Sequence, residues 1–249
     1  MICPAVRGAA RLPDMTTTLI TGADKGLELQ TARRLAGAGH TVYLGARDIG
    51  RGARAARSVG ARPLLVDVTD DDSVAAAAEQ VREHTGHLDV LVNNAGVAGP
   101  ARPADEITAA DMLAAYETNV FGAVRVTHAF LPLLHRSTSP VVVNVSSGLG
   151  SLAVAADPAA HASLVPLWIS SLPYNSSKAA LNMITVLYAR ALPGMRVNAV
   201  DPGHTATDLN GHTGAQSVEQ GADIIVRMAS IGPDGPTGGY FTSDGSMPW

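Results

Sequence analysis

Seven short, apolar, β-branched runs separated by stretches of helical length constrain this chain more than any other feature of its 249 residues. The runs are Thr17–Thr21, Thr41–Ala46, Pro63–Val68, Val90–Asn93, Val141–Ser146, Arg196–Val200 and Tyr240–Phe241. Between them lie Gly26–Ala38, Arg51–Val59, Ser73–His84, Ala109–Leu134, Tyr174–Leu192 and Ser217–Ala229. Near-continuous apolar strands alternating with helices predict a parallel sheet buried on both faces. The expected fold is α/β: one Rossmann-type, doubly wound parallel sheet of about seven strands, helices on both faces, in a single domain over 15–249.

Composition agrees with a large core: 46% of residues are hydrophobic and the net charge is −4, so a non-specific grip on nucleic acid is not expected. A lone cysteine, Cys3, excludes an internal disulfide framework and a multi-cysteine zinc site. The histidines show no His-Glu-x-x-His spacing, and no metal is expected. No run reaches the ~18 apolar residues of a membrane span. Met1–Asp14 lacks the apolar stretch of a signal peptide and reads as a disordered extension before a natural start at Met15. The expected location is cytoplasmic.

After the first run comes Thr21-Gly22-Ala23-Asp24-Lys25-Gly26-Leu27-Glu28. Glycines at 22 and 26 permit a tight turn and close approach of a pyrophosphate to the start of a helix. The second run ends in Ala46-Arg47, without the carboxylate that would bond a ribose 2′-hydroxyl. Arg47 and Lys25 suit a 2′-phosphate, favouring NADP(H) over NAD(H). Asp67-Val68 and Asn93-Asn94-Ala95-Gly96 close the third and fourth strands on the rim where open α/β sheets bind ligands. Asp67 suits an adenine amino group, and the small Ala95 and Gly96 a nearby ribose.

Tyr174 and Lys178 stand one helical turn apart, on one face. A free phenol, near ~10, is a poor acid–base group at neutral pH, and a neighbouring ammonium is expected to lower it. Ser147, ending the fifth strand, offers a hydroxyl to a carbonyl oxygen. Two lysines stand against sixteen arginines, and they are Lys25 and Lys178. At Lys178 a compact ammonium does what a planar guanidinium does not. No Gly-x-Ser-x-Gly elbow surrounds Ser147, which argues against a hydrolase.

On these motifs Met15–Trp249 resembles the short-chain dehydrogenase/reductase family. Thr21-Gly22-x-x-x-Gly26 resembles its cofactor loop, Asn93-Asn94-Ala95-Gly96 its fourth-strand motif, and Tyr174-x-x-x-Lys178 its tyrosine–lysine pair. The resemblance implies a catalytic tetrad of Asn119, Ser147 (rather than Ser146), Tyr174 and Lys178, with Asn119 anchoring a water beside the lysine through its backbone. It implies that Pro202, Gly203, Thr205 and Thr207 face the nicotinamide carboxamide. Asp24 and Leu27 join Gly22, Lys25 and Gly26 in the loop's expected cofactor contacts, with Arg47, Asp67, Val68, Asn94, Ala95, Gly96, Tyr174 and Lys178 beyond it. The NADPH-dependent carbonyl-reductase-like branch is the nearest likeness, given Lys25, Ala46-Arg47 and the 27-residue step from Ser147 to Tyr174. That branch's insertion, here Gly148–Pro173, lies over the active-site mouth and leaves monomer and homodimer both open.

One residue departs from the pattern: Glu28 stands where the family has a third glycine. Its bulk and charge weaken cofactor binding unless it pairs with Arg47 or Arg51, or points to solvent in the first turn of the helix. The chain is thus expected to be an NADPH-dependent oxidoreductase interconverting a small-molecule ketone or aldehyde with an alcohol. The alternative is a non-catalytic dinucleotide-binding sensor.

Overall fold

The computed structural model describes residues 15–249, so the extension expected at 1–14 lies outside the described residues. Among these, β1 (Thr17–Ile20), β2 (Thr41–Ala46), β3 (Arg62–Leu65), β4 (Val90–Asn93), β5 (Val141–Val145), β6 (Arg196–Val200), β7 (Tyr240–Thr242) and β8 (Gly245–Ser246) form one sheet. The order is β3-β2-β1-β4-β5-β6-β7-β8, parallel except for the final pair. The seven expected strands are there; the eighth, two residues after a tight turn, is too short to leave an apolar pattern. The third strand stops at Leu65, so Asp67 and Val68 lie in the loop beyond it rather than at its end.

Alternation along the strands divides the core. Ile20, Leu44, Val92 and Val143 face one layer with α1 (Gly26–Gly37), α2 (Ile49–Val59) and α8 (Val218–Ala229). Leu19, Tyr43, Leu91 and Val142 face the other, where α3 (Asp71–His84) and α5 (Ala123–Leu134) contribute Val74, Val81, Phe130 and Leu134. With a period of two, successive residues of a strand serve opposite layers, and both layers are apolar because both faces are covered. Asp70 caps α3 and Ser217 caps α8, each accepting a first-turn amide.

The single helix expected over 109–134 runs through, but its pitch widens midway. Between α4 (Ala109–Tyr116) and α5 the chain makes a π-helical turn, Glu117–Gly122. Two contacts hold it. A Cβ on Gly122 would lie 2.8 Å from Val68 Cγ2, and Arg125 donates to the Val68 carbonyl (2.6 Å) and to Glu117 (2.9 Å). The wide turn places Asn119 in the interior, 1% exposed.

Because β1 lies between β2 and β4, the connection from β3 crosses the sheet, and a crevice opens at the carboxyl ends of β1 and β4. The Gly148–Pro173 segment starts with a 3₁₀ turn and α6 (Leu152–Ala156), and its Val165 packs with Ala199, Tyr240 and Met247 in a third apolar cluster. The long α7 (Leu172–Ala191) follows. No helix among the described residues is long and apolar enough to cross a membrane.

Gly150 brings the turn after β5 against α7: a Cβ there would meet Lys178 Cβ at 2.6 Å and the Lys178 carbonyl carbon at 2.7 Å. Gly150→Ala should therefore destabilise the protein by about 1–3 kcal/mol, an overpacking cost. Gly37, at the end of α1 with nothing within 4 Å of its notional Cβ, is the control. Gly37→Ala should be neutral or stabilising by about 0.5–1 kcal/mol, both read from urea midpoints.

Candidate active site

The crevice is assembled by stitching two strand ends together. The Thr21 hydroxyl accepts the amides of Asn94 (3.0 Å) and Ala95 (3.2 Å). Gly22 has φ +68°, and a Cβ on it would come within 3.0 Å of Ala95 Cα, so glycine is needed for both conformation and approach. Gly26, φ +62°, starts α1.

The N-terminus of α1 differs from those around it. Asp48, Asp70, Thr108, Ser171 and Ser217 each cap their helices, but Lys25, at the equivalent place on α1, makes no side-chain cap. First-turn amides left without a cap, beside glycines in left-handed conformations, fit a dinucleotide pyrophosphate.

Glu28 already occupies part of that seat. Its carboxyl hydrogen-bonds its own amide and the Asn94 side chain, and Oε2 lies 3.5 Å from where a Gly26 Cβ would be. It neither points to solvent nor pairs with arginine: Arg51 is drawn to Asp24 (3.4 Å) and Asp48 (3.5 Å). Burial raises the Glu28 carboxyl to about 7 and Asp24 adds to this, while the two hydrogen bonds and Lys178 oppose it. The residues fit a nicotinamide dinucleotide, with Glu28 as a competitor at the first turn of α1.

The expected 2′-phosphate pair is separated. Lys25 forms an ion pair with Asp208, in the segment after β6. Arg47 stands exposed after β2, facing Asp67. The Asp67 carboxyl bonds the Thr69 amide (2.9 Å) and hydroxyl (2.7 Å), which hold it below the ordinary carboxylate range, with Arg47 and Arg125 assisting. Val68 supports Gly122, and Leu27 is buried in the core. After β6, the Thr205 hydroxyl bonds the Pro202 carbonyl (3.1 Å), while Thr207 Cγ2 lies 3.7 Å from the notional Gly26 Cβ.

Asn119, Ser147, Tyr174 and Lys178 come together at the ends of β4 and β5. Asn119 accepts the Val97 amide (2.8 Å) and donates to the Val97 carbonyl and Ser177 hydroxyl (both 2.9 Å). Its side chain is thus fully engaged. Lys178, 4% exposed, donates to the Val145 carbonyl at 2.7 Å. Its Nζ is 3.6 Å from the notional Cβ of Gly96 and 5.6 Å from the Tyr174 ring centroid. Ser146 is turned inward onto Asn182 (2.6 Å), whereas the Ser147 hydroxyl accepts the Leu149 amide (3.3 Å) and lies beside Tyr174.

The titration of the pair departs from the sequence expectation. Burial pushes Tyr174 up to about 12, opposed by the Ser147 hydroxyl and helped by Asp201. Burial also lowers Lys178 to about 8, opposed by Glu28 and Asp201. Lys178 does not bring the phenol down: its ammonium bonds a backbone carbonyl and meets the tyrosine at the ring, so desolvation prevails. Sequence reasoning also passed over the Thr21 hydroxyl, Arg125 and Asp208; Thr21 lies within the quoted loop, but nothing local signals the distant partners of these three.

Glu28 makes stability depend on pH. With a folded value of about 7 against an ordinary 4.5, both states are protonated below about 4.5 and the residue costs nothing there. Between these values the unfolded chain ionises first, so stability falls as pH rises, and the full cost is present above about 7. Glu28→Gln should therefore gain thermal stability relative to the parent as pH rises through this window, then hold the gain. A constant difference across the window in melting scans would show an unperturbed carboxyl.

Comparisons with known proteins bear on this site. The short chain dehydrogenase family model matches residues 16–217. A short-chain dehydrogenase of Penicillium roqueforti is 38% identical over 86% of this chain and 88% of its own. The (-)-isopiperitenone reductase of Mentha piperita is 31% identical, over 92% and 96%. Among solved structures, an NADPH-bound carbonyl reductase from chicken fatty liver superposes with a TM-score of 0.82 at 25% identity, covering 94% of this chain and 99% of that one.

Proposed function

Because the chain belongs to the short-chain dehydrogenase/reductase family, we propose that it is an NADPH-dependent reductase of ketones or aldehydes, or runs the reverse oxidation, through Asn119, Ser147, Tyr174 and Lys178. Oxidoreductase chemistry between carbonyl and alcohol comes with the family and its relatives. The observation that carries the finer reading is that Ser147 and Tyr174 meet at one buried point, with the Lys178 ammonium 5.6 Å from the centroid of the same ring.

The nicotinamide dinucleotide, when bound, supplies the hydride. Ser147 orients the carbonyl oxygen toward the phenol. Tyr174, held near 12, keeps its proton at neutral pH and donates it as the oxygen becomes an alkoxide, a far stronger base. Lys178, with a value of about 8, is mostly protonated at pH 7 and would hold its ammonium toward the nicotinamide-side ribose. Asn119, its side chain committed to Val97 and Ser177, offers its backbone in the π turn to the water that returns the proton.

Gly22, Gly26 and the first turn of α1 would hold the pyrophosphate, Asn94, Ala95 and Gly96 the nicotinamide-side ribose with Tyr174 and Lys178, and Pro202 and Gly203 the carboxamide. The NADPH preference rests on Arg47, since Lys25 is engaged by Asp208. It is supported by the NADPH in the chicken carbonyl reductase and by the absence of a carboxylate at the end of β2.

A second reading, a dinucleotide sensor without turnover, is favoured by the Glu28 carboxyl at the α1 amides. Turnover separates the two. With a panel of ketones and aldehydes followed by NADPH absorbance, the parent should reduce at least one. Tyr174→Phe should lose about 10²–10⁴-fold in kcat with an unchanged circular dichroism spectrum. Undiminished activity in that variant would contradict the mechanism. Arg47→Ala should narrow the NADPH-to-NADH affinity ratio with little change in NADH binding.

A further inference from the structure

Asp201 is a buried carboxylate, 6% exposed, immediately after β6, and the mechanism above leaves it unused. Its backbone amide is fixed by the Phe241 carbonyl at 2.8 Å. Oδ1 accepts the Gly203 amide at 3.0 Å, and the Gly148 backbone is packed against the other oxygen of the carboxyl. A Cβ on Gly148 would lie 2.8 Å from Asp201 Oδ2, 2.5 Å from Val165 Cγ2 and 2.9 Å from Met247 Cε. The residue after Ser147 is therefore gripped by the β6 end, the 148–173 segment and the C-terminal segment together. Gly203, φ +73°, belongs to the Pro202-Gly203 turn.

We propose that Asp201 is a positioning residue: its carboxylate joins the backbone that follows Ser147 to the Pro202-Gly203 turn, so that the carbonyl-orienting hydroxyl and the nicotinamide-facing turn share one anchor. The inference rests on the reductase reading above. The Gly203 amide and the Gly148 backbone meet the two oxygens of a single carboxylate, an arrangement an amide side chain does not reproduce, since one of its two heads is a donor. Burial raises the acid, opposed by the neighbouring backbone amides and Lys178, and when ionised it also carries charge. Lys178 and Tyr174 face it from α7 and Tyr240 from β7, and its negative charge disfavours the phenolate of Tyr174.

The test measures carbonyl reduction and NADPH binding across pH in the parent, Asp201→Asn, Ser147→Ala and the double variant. Asp201→Ser, smaller and still an acceptor, is measured beside them in case the asparagine variant does not fold. The expected loss in kcat for Asp201→Asn is about 10–100-fold, the usual effect of misplacing a reacting group through its support. The double variant should be little slower than Ser147→Ala, because Asp201 acts through that serine. The alkaline limb of kcat/KM should move to lower pH when the negative charge is removed, which a change in fold stability alone does not produce. Additive losses, an unmoved alkaline limb, or loss of cooperative melting in both Asp201 variants would overturn the proposal. If the parent itself shows no turnover, it is the reductase reading that fails, whereas a parent disabled by Tyr174→Phe but indifferent to Asp201→Asn overturns the positioning role alone.

Discussion

The site is organised around one buried ammonium. Lys178 is 4% exposed, and removing a charge from water is costly unless it is paired and hydrogen-bonded. The Val145 carbonyl supplies the hydrogen bond, and Glu28 and Asp201 supply opposing charge from the α1 and β6 sides. Around this point β5, α7, the dinucleotide loop and the turn after β6 hold fixed relations. Gly150 is a glycine because the chain after Ser147 is pressed against the backbone of Lys178. Gly96 brings the β4 loop to the same ammonium.

This arrangement gives Glu28 a meaning that its motif position does not. As a substitution in a glycine-rich loop it reads as damage. In the fold it adds a second carboxylate near Lys178 and satisfies an amide in the first turn of a helix that no neighbouring side chain caps. At the dinucleotide seat proposed above, an incoming phosphate would meet a carboxyl already in place. Because that carboxyl is raised to about 7, it is neutralised already at mildly acidic pH, and on the proposed seat proton uptake and cofactor binding would be linked.

Much of the architecture was legible because burial on both sheet faces writes itself into composition: apolar strands such as Val141–Val145 admit few other readings. Loop glycines were legible too, since Gly22 and Gly26 adopt conformations that other residues avoid. The π turn was not. One extra residue between Glu117 and Gly122 leaves the apolar periodicity of 109–134 nearly intact, and the cause lies in Val68 and Arg125, outside the immediate pattern. Partners distant in sequence were equally hidden, as with Lys25 and Asp208, or Asp201 and the Gly148 backbone. The Tyr174–Lys178 spacing correctly brought the two groups onto one face. It did not reveal that the ammonium would bond Val145, leaving burial to raise the phenol.

The central claim is that a functional dinucleotide seat is shared with a titrating carboxyl. The most direct measurement is a nicotinamide-fluorescence titration with NADPH at about pH 6 and about pH 8, either side of the Glu28 value of about 7, for the parent and Glu28→Gly. The account predicts weaker parental binding at the higher pH and tighter, nearly pH-independent binding once the carboxyl is removed. Parental affinity that is the same at both pH values and unchanged in Glu28→Gly would contradict it.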